Sequence, residues 1–324
     1  MIRLTLAFLL TVSCYPQATV AVQSPAVAQF IREMETDHGF GAQQLNDLFD
    51  RVRISKQVLA AISRPAEAKP WYEYRLIFVT PERTREGVRF WRKNAHSLRA
   101  AEERYGVAPE VVVAIIGVET FYGRHGGKYR VADALSTLAF YYPKRADFFR
   151  AELKQFLLMA REQRVDALEL MGSYAGAMGI PQFIPSSFRH YAVDFNGDGR
   201  IDIWDDPEDA VGSVANYLRR HGWEPGRPVA VRARVNRSGY RHLLSDALKP
   251  AIPWSQITRS GLIPERNVAG DPLVTVVDLD LGKESEYWLG FNNFYAVTRY
   301  NHSALYAMAV YQLATAIRSE YLGS

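Results

Sequence analysis

The segment Ala108-Pro-Glu-Val-Val-Val-Ala-Ile-Ile-Gly-Val-Glu119, continued by Thr-Phe-Tyr-Gly-Arg124, decides how the chain is interpreted. Pro109 stands where the first turn of a helix tolerates proline, and the aliphatic run behind it predicts a buried helix. The residues three, four and seven positions before Glu119 are aliphatic, so we expect the carboxylate to share their apolar face. Gly123 then predicts the end of the helix.

This position makes Glu119 a candidate general acid. A carboxyl group held against aliphatic side chains has a raised pKa, because burial disfavours the charged form. Such a group keeps its proton near neutral pH and can donate it to a substrate. A structural alternative exists, since a glutamate that reaches solvent from a core helix, or pairs with an arginine, also has a perturbed pKa. The helix alone leaves both interpretations open.

Composition limits the classes of protein to consider. The chain has 324 residues, enough for one large or two ordinary domains with a substantial core. It is 48% hydrophobic and 23% charged, which is typical of a soluble globular protein. The net charge of +4 and the pI near 9.0 indicate a mildly cationic surface. No basic block, recognition-helix pattern or aromatic–basic repeat accompanies it, so we expect no nucleic-acid partner.

The N-terminus resembles an export signal. Arg3 precedes the apolar stretch 4–12, which has the length of a signal-peptide core and is too short to span a bilayer as a helix. Small residues allow cleavage after Ala21 or after Ala28. The only cysteine, Cys14, is a candidate for lipid attachment, although the leucine expected three positions before such a cysteine is missing. A chain with a single cysteine forms no internal disulfide.

Periodicity predicts a mostly helical protein with a small β element. Residues 65–74 are rich in proline and aromatics and predict a loop, whereas residues 170–188 carry three glycines, two prolines and no charge, which excludes a long helix. Alternation predicts two strands. The predicted helices are 28–36, 44–50, 55–63, 87–105, the helix ending at Glu119, 132–142, 145–162, 209–222 and 303–321, and the predicted strands are 228–235 and 273–281.

The stretch Asp194-Phe-Asn196-Gly-Asp198-Gly-Arg200-Ile matches a calcium loop. Its first, third and fifth positions carry oxygen ligands, the sixth is glycine and the eighth is aliphatic. A hard cation needs several oxygens, and alternate residues of a tight loop can direct them inward, with Arg200 contributing its backbone carbonyl. The alternative is a turn rich in Asp, Asn and Gly that binds no metal.

The last ligand of this loop is ambiguous. The twelfth position holds Asp205 instead of the usual glutamate, and Asp209 on the following helix competes with it. A single loop of this kind, without a paired partner loop, is better suited to bracing the fold than to sensing calcium.

Two further segments could line a groove for a carbohydrate. In the uncharged stretch, Ser173, Tyr174 and Gln182 can bond hydroxyl or amide groups, and Phe183 can offer its face to a sugar ring. A buried loop beneath the core is the alternative for this stretch. A second aromatic and polar cluster spans 294–306, where His302 has no nucleophile motif nearby and is interpreted as structural.

Four motifs together resemble the lytic murein transglycosylase B family. They are GVETFYGR (117–124), SYAGAMGIPQFIPSSF (173–188), DFNGDGRIDIWDDPEDAVGSVANYLRRHGW (194–223) and NFYAVTRYNHSALYAMAV (293–310). The resemblance runs from about residue 30 to the end. It implies a mainly α fold of the α+β type, with a lysozyme-like helical core and a small inserted β and calcium-loop lobe. It also implies cleavage of the β-1,4 bond between N-acetylmuramic acid and N-acetylglucosamine in peptidoglycan, with formation of 1,6-anhydromuramic ends.

The resemblance also assigns residues. It makes Glu119 the single catalytic acid and base. The Asp205-Asp206-Pro207 stretch is one residue longer than the family form, so Asp205 and Asp209 both stay candidates for the last calcium ligand, and Asp209 is favoured. Two departures from the family pattern are Lys144, where arginine is expected, and Phe148, where tyrosine is common. Substrate-binding residues carried over are Tyr74, Lys144, Arg145, Ser173, Gln182, Phe183, Tyr300, Asn301 and Tyr306, and calcium ligands are Asp194, Asn196, Asp198, Arg200 and Asp209.

The expected organisation is a signal peptide over 1–21, followed by a catalytic domain over 29–324 with a calcium-loop lobe at about 190–223. The signal alternatively extends to 28, or ends before Cys14 as a lipoprotein signal. We expect a periplasmic monomer that acts on glycan strands, with no catalytic cofactor, one structural Ca²⁺ and an optional outer-membrane anchor through Cys14. A lysozyme-type hydrolase on the same scaffold and a non-catalytic wall-binding protein are the competing functions.

Overall fold

A computed structural model describes residues 24–64 and 69–323. The predicted signal segment over 1–21 and Cys14 lie outside the described residues. The helices of the described part are α1 (Pro25–His38), α2 (Ala42–Arg51), α3 (Lys56–Ile62), α4 (Trp71–Phe78), α5 (Pro81–Lys93), α6 (Ala95–Tyr105), α7 (Pro109–Thr120), α8 (Val131–Tyr141), α9 (Ala146–Gln163), α10 (Pro185–Tyr191), α11 (Pro207–Arg220), α12 (Trp254–Ser260), α13 (Asn292–Thr298) and α14 (Ala304–Leu322). The strands are β1 (Tyr129–Arg130), β2 (Met171–Gly172), β3 (Ala230–Val235), β4 (Ile252–Pro253), β5 (Leu262–Pro264), β6 (Leu273–Asp280) and β7 (Ser285–Gly290).

The predicted α-rich fold class is confirmed, with two local corrections. Residues 71–74, predicted as loop, begin α4, because Pro70 caps the helix and Trp71 and Tyr74 are buried at 1% and 9% exposure. The helix predicted over 87–105 is two helices, since Asn94 leaves helical geometry between α5 and α6. The side-chain amide of Asn94 bonds back to the carbonyl of Phe90 at 2.8 Å, which ends α5.

Helix α7 lies at the centre of the main core. Every residue from Val111 to Val118 is buried, so the helix has no polar face along this stretch. It packs against α5, α6, α11 and α14. A helix that is apolar all round is stable in water only when other elements surround it, and this requirement fixes α7 inside the helical layer. Within α7, only Glu110 in the first turn and Glu119 in the last turn are not fully buried.

A second pair of helices, α8 and α9, forms another wall of the same core. α8 and α9 pack against each other, and α10 packs against α9. The short strands β1 and β2 pair antiparallel beside them and join the start of α8 to the uncharged stretch that follows α9. No long helix runs through residues 170–188, as predicted: irregular backbone over 173–184 lies between β2 and the short α10. This irregular stretch contacts both α7 and α8.

The five-stranded sheet has the order β4-β6-β7-β3-β5 and is antiparallel. One face of β6 contributes Val277 and Leu279 to the main core. The other face contributes Val274 and Val276 to a smaller core that includes Ile257 of α12. The sheet therefore has its own apolar interior and is attached to the helical part through one face.

The sheet does not belong to the predicted calcium-loop lobe. Residues 190–223 contain the loop and α11 but none of the five strands of this sheet, which come from 230–290. Helix α11 is also part of the main core, because Val211, Val214 and Leu218 are fully buried there. The β and calcium elements, predicted as one inserted lobe, are thus two separate features.

The described N-terminal residues bear on the predicted cleavage sites. Cleavage after Ala28 would remove the first turn of α1 together with Val27, which is fully buried. Processing before α1, as at Ala21, leaves this packing intact. None of the helices in the described residues is both long and apolar enough to cross a membrane.

Candidate active site

The chain takes a strained path directly after Glu119. Helix α7 ends at Thr120, three residues before the predicted stop at Gly123. Phe121 and Tyr122 follow with φ of 51° and 63°, in the left-handed region that side chains other than glycine rarely occupy. Their N–H groups bond back to the carbonyls of Gly117 and Ile116, which closes the helix end. Strain of this kind clusters at functional sites.

Buried hydrogen bonds hold this strained turn in place. The Thr120 hydroxyl, which is fully buried, donates to the carbonyl of Ile180 at 2.9 Å and accepts from the N–H of Gly123 at 3.0 Å. The Tyr122 hydroxyl donates to the carbonyl of Arg83 at 2.7 Å. Thr120 therefore links the acid-bearing turn to the uncharged stretch. Sequence reasoning missed it, although it directly follows Glu119 in the GVETFYGR motif.

The carboxyl group of Glu119 is enclosed and accepts a hydrogen bond from one tyrosine. The hydroxyl of Tyr306, on the first turn of α14, donates to Glu119 Oε1 at 2.6 Å. Burial raises the pKa of Glu119 to about 7, and the bond from Tyr306 opposes that rise. Since a hydrogen bond to the carboxylate stabilises the charged form, the pKa stays within reach of neutral pH. A group with this pKa can both give and take a proton.

Two tyrosines form a wall beside the acid. The ring of Tyr300 stacks on that of Tyr306, with centroids 6.4 Å apart and an angle of 12° between the planes. The Tyr300 hydroxyl donates to the carbonyl of Pro181 at 2.6 Å. Burial raises the pKa of both phenols well above their ordinary value, so Tyr306 stays a proton-bearing donor towards Glu119. The structure therefore brings together Glu119, Tyr300 and Tyr306, as predicted.

Phe183 does not offer a face to a sugar. Its ring is 2% exposed and packs against Tyr217 and Tyr300, with centroids 5.6 and 5.8 Å away. The prediction for this residue is wrong in that respect, because the sequence does not reveal which side of an irregular loop turns inward. Phe183 supports Tyr300 from behind. Tyr217, which sequence reasoning missed, contacts both rings and donates to the carbonyl of Arg299.

Ser173 and Gln182 shape the uncharged stretch. The Ser173 hydroxyl accepts the N–H of Ala177 at 3.0 Å and the N–H of Ala175 at 3.3 Å. Gln182 has a φ of 52°, and its amide donates to the carbonyls of Gly126 and Gly179 at 3.2 and 2.9 Å. Ser173 therefore shapes the loop internally, whereas Gln182 also ties it to Gly126 beyond the strained turn. Both side chains keep part of their surface exposed.

One glycine contact shows how closely this loop approaches the acid-bearing turn. At Gly127, with a φ of +103°, a β-carbon would lie 2.0 Å from the carbonyl of Gly172. The backbone of Gly127 thus passes directly over the β2 strand that precedes Ser173. Any side chain at this position would separate the two segments.

The remaining predicted substrate residues take no part in the hydrogen bond between Tyr306 and Glu119. Tyr74 is buried in α4, where its ring stacks on Trp71 at 6.3 Å. Lys144 and Arg145 are exposed in a 3-10 turn between α8 and α9, and the Arg145 guanidinium lies 4.3 Å from the centroid of Phe148. Asn301 is exposed in the loop before α14. Contact of these residues with substrate stays a prediction.

The predicted calcium loop is folded around Asp194. Its carboxylate accepts the N–H groups of Gly197, Asp198 and Gly199 at 2.7, 3.1 and 2.8 Å. Asn196 Oδ1 accepts the N–H of Asp198 at 2.8 Å. Gly197 and Gly199 have φ of 80° and 90°, which give the tight turn that a calcium loop needs.

Asp209, the predicted last ligand, lies under this loop. It is 1% exposed and accepts N–H groups of Phe195 and Asp202, each at 2.7 Å. Asp205 is exposed at the rim instead. Within the described residues, no three His, Cys, Asp or Glu side chains converge into a cluster that could hold a metal ion, because the loop's acidic side chains bond to its own backbone. The ligand set stays a prediction.

Comparison with known families covers nearly the whole described chain. A family model, the transglycosylase SLT domain, matches residues 23–315. The chain belongs to this family. Membership in this transglycosylase family agrees with the resemblance inferred from the four motifs, and it places the Glu119 turn within the matched domain.

One protein and several solved structures are similar to this chain over most of its length. Membrane-bound lytic murein transglycosylase B of Escherichia coli (strain K12) is 45% identical over 304 residues, which cover 91% of this chain and 83% of that protein. Soluble lytic transglycosylase SltB1 from Pseudomonas aeruginosa is 53% identical, with a TM-score of 0.87, and covers 93% of this chain and 100% of its own.

Two further structures carry ligands. The Escherichia coli lytic transglycosylase Slt35 in complex with calcium is 45% identical, has a TM-score of 0.86 and covers 93% of this chain and 95% of its own. SltB3 from Pseudomonas aeruginosa in complex with NAG-anhNAM-pentapeptide is 33% identical, has a TM-score of 0.80 and covers 90% of this chain and 78% of its own. These likenesses confirm the predicted fold class.

Proposed function

We propose that this protein is a peptidoglycan lytic transglycosylase that cleaves the β-1,4 bond between N-acetylmuramic acid and N-acetylglucosamine and leaves 1,6-anhydromuramic ends. The observation that carries the proposal is Glu119, an enclosed carboxyl group with a pKa of about 7 that is hydrogen-bonded to Tyr306. Burial alone raises this pKa, and no carboxylate among the described residues contributes to the rise. Most glycosidases need two carboxylates, so a lone acid favours a one-carboxylate reaction.

The relatives support the substrate class. SltB3, 33% identical to this chain, is solved with NAG-NAM-pentapeptide and with NAG-anhNAM-pentapeptide. The first ligand is a muropeptide with an intact muramic acid, and the second carries the anhydro form. We infer that the groove beside Glu119 takes glycan strands of the same chemistry, with Tyr300, Gln182 and Ser173 among the residues along it.

In the proposed reaction, Glu119 first donates one proton to the substrate and then takes one proton from it. Protonated Glu119 donates to the glycosidic oxygen, and the bond from that oxygen to C1 of the muramic acid breaks. The muramic acid's N-acetyl group assists departure, as in substrate-assisted glycosidases. Ionised Glu119 then takes the proton of the sugar's 6-hydroxyl, whose oxygen forms the new bond to C1. The Tyr306 hydroxyl stabilises the carboxylate between these steps. No water enters, and proximity of the 6-hydroxyl lowers the barrier.

The mass of the released fragments tests this function. Purified sacculi are digested with the mature protein, and the soluble muropeptides are analysed by mass spectrometry. We expect anhydromuramic ends, which lack the water that hydrolysis adds. Reducing ends would contradict the proposal and indicate a lysozyme-type hydrolase. Binding to sacculi without any release would indicate a wall-binding protein.

We also propose that the loop around Asp194 binds one structural Ca²⁺. The support is the loop's fold, with a carboxylate bonded to three backbone N–H groups and glycines at two left-handed positions, and the calcium complex of Slt35. Asp194, Asn196, Asp198, the carbonyl of Arg200 and Asp209 would hold the ion. Calcium would brace the loop against α11 and supply no catalytic chemistry.

Calcium should raise the thermal stability of the protein. At a calcium concentration 100 times Kd, mass action adds about 2.7 kcal/mol to the free energy of unfolding. We expect an increase in Tm on adding Ca²⁺ to chelator-treated protein, measured by scanning calorimetry. Asp194→Asn should weaken this increase, whereas Asp166→Asn, in a turn outside the loop, should retain it. An equal Tm with calcium and with chelator would rule out the site.

We propose export to the periplasm, on the basis of the apolar N-terminal segment and the membrane-bound relative from Escherichia coli. Cys14, as the only cysteine, is the residue through which a lipid anchor would have to be attached. The intact mass of the mature protein from membranes distinguishes an anchored chain that begins at Cys14 from one cleaved after Ala21.

A further inference from the structure

The guanidinium of Arg83, on the first turn of α5, joins the ends of two other helices. It donates to the carbonyl of Gly117 in the last turn of α7, and to the carbonyl of Ile77 in the last turn of α4 at 3.3 Å. Carbonyls at the end of a helix lack full hydrogen bonding within the helix, and the rigid fork of an arginine can bond to two of them at once. Arg83 thus ties α4 to the helix that carries Glu119.

The same guanidinium packs on the strained residue that follows the acid. Its Cζ lies 4.8 Å from the ring centroid of Phe121, which has a φ of 51°, and 5.5 Å from that of Phe78. A guanidinium over an aromatic face is attracted to it. Because left-handed residues other than glycine persist only where surrounding contacts enforce them, Arg83 helps to keep Phe121 in this conformation.

The second left-handed residue, Tyr122, bonds back to α5. Its hydroxyl donates to the backbone carbonyl of Arg83 at 2.7 Å. This hydroxyl occupies space that two glycines leave open, because a β-carbon at Gly87 of α5 or at Gly117 of α7 would lie 2.6 Å from it. The side chain of Arg83 therefore bonds to the end of α7, and the side chain of Tyr122 bonds to α5 in return.

Stability alone does not account for an arginine at this position. The guanidinium is half-buried, and burial lowers the pKa of Arg83. Its Nε is buried and has no acceptor among the described residues. An apolar side chain would fill the same space without the cost of desolvating a charge or leaving a donor unpaired. What the arginine adds is the pair of bonds to Gly117 and Ile77.

Helix α4, at the other end of the Arg83 fork, also contributes to the surroundings of the acid. Burial, more than any other cause, raises the pKa of Tyr306, and the nearby Tyr74 of α4 adds to this rise. Tyr306 is the residue that donates to Glu119. Fixing the end of α4 against the end of α7 therefore also fixes the environment of the bond between Tyr306 and Glu119.

We propose that Arg83 is a positioning residue for the reaction, which sets the direction of the Glu119 carboxyl by holding the end of α7 and the left-handed turn against α5 and α4. Arg83 would act through Glu119 and not through contact with the glycan. The proton transfers depend on where the carboxyl oxygens lie, so they should suffer from its loss, whereas glycan binding should not. This role presupposes the transglycosylase reaction proposed above.

Replacing Arg83 should lower kcat and leave KM nearly unchanged. Arg83→Met removes the fork but keeps much of the volume of the side chain, and its kcat on soluble glycan should fall roughly 10- to 100-fold, as for a small displacement of a reacting group. Arg83→Lys should lose less, because an ammonium can still bond to one of the two carbonyls. Arg85→Met changes an exposed arginine on the same helix and should retain full kcat.

A second control separates positioning from general stability. Val27→Ala removes methyl groups buried on α1, so it should lower Tm without changing kcat at a temperature where circular dichroism shows every variant to be folded. Equal kcat for Arg83→Met and Arg85→Met, a loss confined to KM, or an equal loss of kcat in Val27→Ala would overturn the positioning role.

Tyr122→Phe tests the same role with a smaller change. It removes only the hydroxyl that bonds to the carbonyl of Arg83 and leaves the ring in place, so kcat should fall roughly three- to tenfold. If Arg83→Met does not fold, Arg83→Lys and Tyr122→Phe decide, and an unchanged kcat in both would overturn the role.

A protein that releases no anhydromuropeptides would contradict the proposed function instead, and the geometry is then measured without turnover. The carbon-13 signal of the Glu119 carboxyl is assigned by its absence in Glu119→Gln and followed against pH. Arg83→Lys combined with Tyr122→Phe keeps the positive charge but loosens the turn, so the carboxyl should lose its alignment with the Tyr306 hydroxyl. Its titration midpoint should then rise from about 7 by roughly half to one pH unit. An unchanged midpoint would overturn the role of Arg83.

Discussion

Glu119→Gln should reduce the rate of anhydromuropeptide release by roughly 10³- to 10⁴-fold, because one side chain supplies both the general acid and the general base. Glutamine has nearly the same shape and can still accept the Tyr306 hydroxyl, but it carries no transferable proton. The loss should appear in kcat, since the amide preserves the hydrogen-bonding surface that faces the sugar.

The same variant should stay folded and bind glycan. The folded protein encloses the Glu119 carboxyl and raises its pKa from 4.5 to about 7. It therefore binds more protons than the unfolded chain between these values, and its free energy of unfolding falls as pH rises through this window. A shift of this size corresponds to about 3 kcal/mol above pH 7. Glu119→Gln removes this loss, so at pH 8 its Tm should exceed that of the unaltered protein.

Turnover is measured by chromatography of the released muropeptides, folding by circular dichroism and binding by sedimentation with sacculi. Glu103→Gln is the matched control, because Glu103 is an exposed acid on α6, outside the strained turn and the buried face of α7. It should retain full activity. Turnover by Glu119→Gln within tenfold of the control would mean that another group donates the proton.

The part of the site on regular structure could be predicted from the sequence. The apolar run of α7 predicts a buried helix, and the helical periodicity of this run places Glu119 at the end of the buried face. The helices over 131–141 and 146–163 follow from the same pattern. The pairing of Glu119 with Tyr306 spans 187 positions, and no local pattern specifies such a contact. Only the family resemblance named Tyr306.

The irregular parts could not be predicted in the same way. Side-chain direction in the stretch 173–184 depends on left-handed residues such as Gly176, Gly179 and Gln182, and the last has no sequence signature. The sequence therefore predicts Phe183 in the groove, whereas the folded chain buries it. The prolines and aromatics of 65–74 predict a loop, whereas Pro70 caps α4, which the burial of Trp71 stabilises. In both segments tertiary packing overrides local propensity.

The activity should decline above about pH 7. The acid step requires protonated Glu119, whose pKa is about 7. Below about pH 7 Glu119 is protonated, so its titration leaves kcat/KM constant. Above about pH 7 kcat/KM falls about tenfold per pH unit, or roughly 100-fold between pH 7 and pH 9. The profile is measured on soluble glycan fragments at constant ionic strength. A rate that is flat up to pH 9 would exclude Glu119 as the acid.

Tyr306→Phe should move this decline to higher pH. The Tyr306 hydroxyl stabilises the carboxylate and thus lowers the pKa of Glu119, so its removal raises that pKa and extends the protonated range. The variant should be slower below pH 7, because the carboxylate formed after proton donation loses its donor. Tyr311→Phe is the control on the same helix, since its hydroxyl bonds to the carbonyl of Ala230. An unshifted decline in Tyr306→Phe, with a lower rate at every pH, would mean that Tyr306 serves packing or binding and does not tune the acid.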